Sequence, residues 1–378
     1  MFLLATLGGL VPSIAWPGQR PVRTAPARQL PASPDQHQQL DGHRSLSRDA
    51  RIAFIRRAQV WSPTNIPSMD IRTGPGGAGA FQPNELVTCD YTDARLHGGT
   101  RKFHCRLPNG DIVKVRYGTS NGEVLASVLA TRLLWALGFA ADRVYPVRVT
   151  CRGCSSDPWT DPSSRNQVRD FDPAAIERGP AGHEMWNDND DRKWGWDWRE
   201  LDLVDPAQGG APPEQRDALK LLAVFIQHTD TKTRQQRLLC APDQVTAPEQ
   251  CDKPFLMLHD VGVTFGRANN RNRGSVGSAN LEEWISQPVW KDPAACVGNL
   301  DKSMTGTLGD PAISEAGRKF LADLLVQLTD RQVRDLFEVA RVDRRINSDG
   351  AAVGAHVDDW VAAFNAKRQQ IVRHHCPR

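Results

Sequence analysis

Two apolar runs that each end on an aspartate limit this chain's fold more than any other feature. Val224-Phe225-Ile226-Gln227-His228-Thr229-Asp230 passes from apolar to polar within a few residues and continues through Thr231-Lys232-Thr233-Arg234-Gln235-Gln236-Arg237 to Leu238-Leu239. A helix end, a loop carrying an acid and a lysine, and a short strand read this way. Phe255-Leu256-Met257-Leu258-His259-Asp260-Val261-Gly262 follows as a second apolar strand ending in Asp-x-Gly. Two carboxylates fixed at the ends of apolar elements are what a metal-assisted phosphoryl-transfer site requires.

The chain has 378 residues, 40% hydrophobic and 24% charged, which suits one large or two medium globular domains with a full core. Its net charge of +3 is small for that length and argues against nucleic acid as a partner. No stretch is long and apolar enough for a transmembrane helix. The short run Met1-Phe2-Leu3-Leu4-Ala5-Thr6-Leu7-Gly8-Gly9-Leu10-Val11 reads as the apolar centre of an export signal or, alternatively, as a misassigned start or a frayed terminus. No Lys or Arg precedes it, so export (periplasmic or extracellular) and a cytoplasmic location both stay open. Residues 12–50 are rich in Pro, Arg, Gln and Ser and predict a disordered linker. The eight cysteines suggest disulfides, with proximity favouring Cys89–Cys105, Cys240–Cys251 and Cys296–Cys376. Cys151-Arg152-Gly153-Cys154 is a lone CxxC, read as a disulfide before half a metal site.

Along the chain, ordered structure is expected from about Arg51. Gly74-Pro75-Gly76-Gly77-Ala78-Gly79 lacks both GxGxxG placement and a following Lys-Ser/Thr, so it reads as a surface turn, not a phosphate loop. Three strands follow over 85–91, 102–107 and 111–117, separated by His97-Gly98-Gly99 and the hairpin signal Asn109-Gly110. In the third strand Lys114 and Arg116 share a face, which in an edge strand would meet solvent. A helix over 120–137 ends at Gly138, and Glu123 in its first turn has two readings. With Ser120 as N-cap it completes a capping box; alternatively it reaches Lys114 and fixes it against a phosphate. Residues 155–213 read as a polar insert anchored by Trp194, Trp196 and Trp198, and Asp188-Asn189-Asp190-Asp191 lacks the glycine and glutamate of a calcium loop. The segment 267–280 is a long polar loop, and helices with a Thr329-x-x-Gln332 capping box fill the remainder.

Strands with one helix first and helices afterwards predict an α+β protein with a small β-rich lobe and a larger helical one. Lys114 on a third strand, Glu123 opening the next helix, Asp230 after a long helix and Asp260-x-Gly262 after a strand follow the order of the protein-kinase-like fold. Asn121-Gly122-Glu123, Arg132-Leu133-Leu134, Leu137-Gly138-Phe139 and Val144-Tyr145-Pro146 resemble its atypical branch of phosphoinositide kinases, secretory-pathway Golgi kinases and bacterial persistence-toxin kinases. The likeness covers residues 86–265 in short pieces.

With 1–50 set aside by composition as a possible signal peptide and disordered linker, that resemblance implies a nucleotide-binding N-lobe over 51–150 and a catalytic C-lobe over 151–378. It implies Lys114 on the α/β-phosphates held by Glu123, Asp230 as catalytic acid/base, and Asp260 on Mg²⁺ or Mn²⁺ beside ATP. His228 would order the catalytic loop and Lys232 would neutralise the transferred phosphate. The metal-binding asparagine of such loops, five residues past the aspartate, is here Gln235, whose amide sits one methylene (~1.5 Å) further out. The acceptor, whether protein, lipid or small molecule, is not encoded in these motifs. Nucleotidyl transfer is a related chemistry. The competing readings are a kinase-like binding module without catalysis and a disulfide-stabilised extracytoplasmic binding protein. Gln235, the lack of a glycine-rich loop beyond Gly98-Gly99, and the scarcity of ATP outside the cell favour the first of these.

Overall fold

Alternating side chains in five strands build the part of the molecule that carries the charged cluster. A computed structural model describes residues 47–93, 98–163, 166–180, 182–184, 195–241, 245–247, 250–266, 277–346, 350–353 and 355–377. The N-terminal apolar run, Trp194, the Asp188–Asp191 cluster and most of the 267–280 loop lie outside them. The strands are β1 (Glu85–Thr92), β2 (Lys102–Arg106), β3 (Ile112–Tyr117), β4 (Arg143–Cys154) and β5 (Gln167–Arg178). They close into a barrel in the order β1-β2-β3-β5-β4, with β4 returning parallel to β1. β3 therefore lies between β2 and β5 and is not an edge. β5 was not expected; it runs through what reads as the start of a polar insert, and β4 extends past residue 150.

Period-2 alternation sorts the barrel residues. Val113, Val115, Tyr117, Phe103, Cys105 and Ile176 join one apolar cluster. The intervening positions put Lys102 opposite Arg116 and Lys114 opposite Glu177, so four charged side chains from adjacent strands share the other face.

Helix α1 spans Arg48–Arg57 and α2 spans Gly122–Leu137. α2 is buried along nearly its whole length and packs on β4 and β5. Its N-cap is Asn121, whose side chain accepts from the Glu123 amide at 3.3 Å. Glu123 is thus the second helical residue and forms no capping box with Ser120. Gly138 ends the helix at φ 86°, the left-handed conformation that glycine adopts without strain.

β6 (His183–Glu184) precedes helix α3 (Pro213–Phe225), and after it come β7 (Gln236–Cys240) and β10 (Pro254–Leu258); these three strands pair as one sheet, with the short ribbon of β8 (Val245–Ala247) and β9 (Gln250–Cys251) between the last two. Helices α4 (Leu281–Ile285), α5 (Glu315–Leu325), α6 (Asp330–Ala340) and α7 (Val357–Val372) follow. The Thr329–Gln332 capping box opens α6. Trp196, Trp198, Trp284 and Trp360 are fully buried in the larger core, which gives part of the tryptophan content a structural role. All eight cysteines form disulfides: Cys89–Cys105, Cys151–Cys154, Cys240–Cys251 and Cys296–Cys376. Among the described residues no helix is long and apolar enough to cross a membrane.

The glycine-rich 74–80 turn is held by cations bound to its carbonyls. Arg132 donates to Ile71 O just before it, and Arg143 donates to Gly76 O and Ala78 O.

Candidate functional site

Antiparallel register converges the two aspartate loops. Leu258 pairs with Gln236 across β10 and β7, and the His259 amide donates to Gln235 O at 2.9 Å. The loop from Asp230 and the turn carrying Asp260 therefore leave the same end of the sheet. Gln235 Nε2 donates to Asp230 Oδ2 at 3.0 Å and to Asp260 Oδ2 at 3.2 Å. One amide spans both carboxylates, and the extra methylene of glutamine supplies the reach. Lys232 Nζ also pairs with Asp230 Oδ2 at 2.7 Å.

Asp260 sits at φ 51°, a left-handed conformation that costs a non-glycine residue free energy. Asp142 at the start of β4 holds it there. Its carboxylate accepts the Asp260 amide at 3.1 Å and pairs with His259 Nδ1 at 2.7 Å. Burial lowers the basicity of His259, as does Arg237, but Asp142 and Glu177 outweigh them and its pKa is raised.

The cation beside Glu123 is Arg116, not Lys114. Arg116, 2% exposed, pairs with Glu177 and Asp260, and its Nε lies 3.7 Å from Glu123. Lys114 pairs with Glu177, and Glu123 accepts from Thr100 Oγ1 at 2.9 Å. The expected Lys114–Glu123 pair is thus replaced by a network in which Arg116 joins β3, β5, α2 and the Asp260 turn. The edge-strand picture of solvent-facing Lys114 and Arg116 fails for the same reason, because β5 covers the second side of β3.

These partners set the charges. Burial raises the Asp260 carboxyl, but Arg116, Lys114, His259 and Lys102 together hold it well below the usual carboxylate range. Glu177 is likewise opposed by burial yet held down to about 2 by Lys114, Arg116 and His259. Glu123 moves the other way: burial and the neighbouring Asp260 charge push it up despite Arg116. His228 is fully buried beneath the loop, and burial lowers its pKa. Its ring lies 6.4 Å from that of Trp198, centroid to centroid.

A third segment, not anticipated, buttresses that loop. Ser303 N donates to Thr229 O at 2.9 Å, Thr307 N to Thr231 O at 3.1 Å and Leu308 N to Thr231 Oγ1 at 3.1 Å. Sequence reasoning also missed Asp142, Glu177 and the part played by Arg116. For Arg116 the signal existed, since it alternates with Lys114 on one face; Glu177 and the 303–308 contacts carry no local signature.

The carboxylate oxygens of Asp230 and Asp260 are of the kind a hard divalent cation takes, whereas Gln235 would have to turn its amide, which now directs Nε2 at both acids, to add its oxygen. Asp260 keeps 23% of its side chain exposed and Asp230 15%, so both are reachable.

Neither a protein-family profile nor a curated protein matches the chain. Among solved structures it is similar to a proinflammatory kinase of Helicobacter pylori, CtkA, with 9% identity, a TM-score of 0.41, and 77% of this chain and 96% of that chain covered. It is similar to the Golgi casein kinase solved with Mn and ADP bound, with 11% identity, a TM-score of 0.35, and 76% and 73% covered. A Shewanella oneidensis HipA toxin–antitoxin complex aligns at 10% identity and a TM-score of 0.33, over 74% and 66%. At these scores the likeness adds no argument to the geometry.

Proposed function

We propose that this chain is an ATP- and divalent-cation-dependent phosphotransferase of atypical kinase-like, two-lobed fold. The observation that supports this most is the meeting of Asp230 and Asp260 on one amide, with Arg116 and Lys114 behind them. The smaller lobe is best taken to residue 178, not 150, because β5 closes the barrel.

Asp260 and Gln235 would hold Mg²⁺ or Mn²⁺, which supplies charge neutralisation for the phosphates. Asp230 accepts the proton of the acceptor hydroxyl as it attacks, and Lys232, 2.7 Å from its Oδ2, orients that carboxylate. Arg116 fixes Asp260 and Glu123 relative to each other, so the carboxylate is placed before ligand arrives. The acceptor is a hydroxyl-bearing protein, lipid or small molecule. The four disulfides suit an oxidising, exported setting.

A second reading, a nucleotide-free kinase-shaped binding module, is favoured by one observation. Asp260 Oδ1 is already engaged by Arg116, and Gln235 presents its amide N–H to both acids. Thermal unfolding with ATP and Mg²⁺ or Mn²⁺ separates the readings. The phosphotransferase reading expects stabilisation of the wild type, its loss in Asp260→Ala, and transfer of label from γ-labelled ATP. Stabilisation without transfer leaves a catalytically inactive nucleotide binder, and no stabilisation at saturating ATP leaves the binding module.

A further inference from the structure

We infer that Lys102 on β2, not Lys114, is the ammonium that contacts the phosphates of the bound nucleotide, an assignment that rests on the phosphotransferase reading above. Three cations share the charged face of the barrel, and two are already satisfied. Lys114 pairs with Glu177, while Arg116 pairs with Glu177 and Asp260 and lies near Glu123. Lys102 is only 6% exposed, yet its ammonium makes no hydrogen bond or ion pair among the described residues. Its one close partner is the ring of Trp159, 5.8 Å from Nζ.

The stem of Lys102 is buried and its ammonium has no protein acceptor among the described residues, so its hydrogen-bonding positions are left to solvent or to a ligand that displaces it. Its surroundings say which ligand. Lys102 stands directly opposite Arg116 in the β2–β3 register, and Arg116 pairs with Asp260, so it belongs to the same site, where the Asp260 and Glu123 charges act on it. Burial, Arg116 and Lys114 outweigh them and lower its pKa. Gly98, in the connection between β1 and β2, leaves room for the head group: a Cβ there would fall 2.7 Å from Nζ. The ammonium thus rests against bare backbone beside the carboxylate assigned to the metal. That is a place for a polyanion carrying its own divalent cation, such as the triphosphate of ATP.

The test compares wild type, Lys102→Met, Lys102→Arg and Lys114→Met by thermal unfolding with ATP and Mg²⁺, with adenosine, and with inorganic tripolyphosphate. Without ligand, Lys102→Met should melt at or above the wild-type temperature, since an unpaired buried charge is gone, and Lys114→Met below it, since Glu177 loses a partner. ATP affinity should fall at least tenfold in Lys102→Met, return in part in Lys102→Arg, and adenosine affinity should be unchanged. Wild-type ATP affinity in Lys102→Met with a loss in Lys114→Met would overturn the assignment and leave the phosphotransferase reading intact. Lys102-dependent stabilisation by tripolyphosphate without any by ATP would sink the phosphotransferase reading but keep Lys102 as an anion site. Stabilisation by neither ligand overturns both.

Discussion

Arg116 is the residue on which most of the site's electrostatics depends, because three carboxylates from three elements converge on one guanidinium. Replacing it with methionine leaves Glu177 with Lys114 and His259 and Asp260 without the guanidinium that pairs with it. A cost of about 3–5 kcal/mol is expected for breaking a buried pair from one side, measured as the shift in the chemical unfolding midpoint at constant slope. The acids then separate by sign. Glu177 is held down to about 2 in the fold, so its stabilisation is complete above its unfolded value of about 4.5 and is lost as pH falls toward 2. Glu177→Gln should flatten the acid limb of stability in that window and destabilise at neutral pH. Glu123 is raised, so its ionised form opposes folding, and Glu123→Gln should be at least as stable as wild type at pH 7. A Glu123→Gln loss as large as that of Glu177→Gln would show that Glu123 serves the fold and is not held there at a cost.

At the scale of elements, one short contact fixes the Asp260 turn. The start of β4 and the end of β10 are stitched by Leu258 N to Ala140 O at 3.0 Å and Asp142 N to Leu258 O at 3.3 Å. Asp142 then returns a carboxylate to the Asp260 amide and His259. Asp142→Ala should cost about 2–3 kcal/mol, since a buried amide loses its acceptor beside a strained φ. Asp142→Asn, which keeps one acceptor oxygen, should cost less. ATP-dependent stabilisation should drop with Asp142→Ala even at temperatures where the variant is fully folded. An Asp142→Ala protein with wild-type ATP response would mean that the Asp260 turn holds its shape without this pin. Asp230, Asp260 and Gln235 were readable beforehand because an abrupt apolar-to-polar change marks the end of a buried element. Lys114 and Arg116 were readable as a shared face, but which partners cover that face depends on whether β3 is an edge. That property belongs to the sheet. β5 escaped because its burial alternates only around Phe171 and because Pro173 lies within it, and proline normally argues against a strand interior. Glu123 looked like a cap because Ser120 and Glu123 have the spacing; the helix instead starts one residue later, on Asn121.

For the whole molecule, the disulfides divide into local clips and one long-range tie. Cys151–Cys154 spans 3 residues and Cys240–Cys251 spans 11, each within or beside strands already paired. Cys296–Cys376 spans 80 residues and joins the segment before α5 to the chain after α7. Constraining the unfolded chain is worth about 1.5 kcal/mol for the shortest loop and about 4.5 kcal/mol for the longest in the loop-entropy description. Cys296→Ser/Cys376→Ser should therefore lower the unfolding midpoint by several times the shift seen in Cys151→Ser/Cys154→Ser. The long tie also bears on the site. Gly298 N donates to Pro311 O and Ile313 N to Cys296 O, so Cys296 anchors the base of the 299–310 loop, whose tip holds the Asp230 segment through Thr229 and Thr231. Reduction should thus weaken ATP-dependent stabilisation before it unfolds the barrel, and hydrogen exchange should show the amides of Ser303, Thr307 and Leu308 losing protection ahead of those in β2 and β3. Simultaneous loss of protection in the loop and the barrel would mean that the tie stabilises the fold globally and does not tune the site.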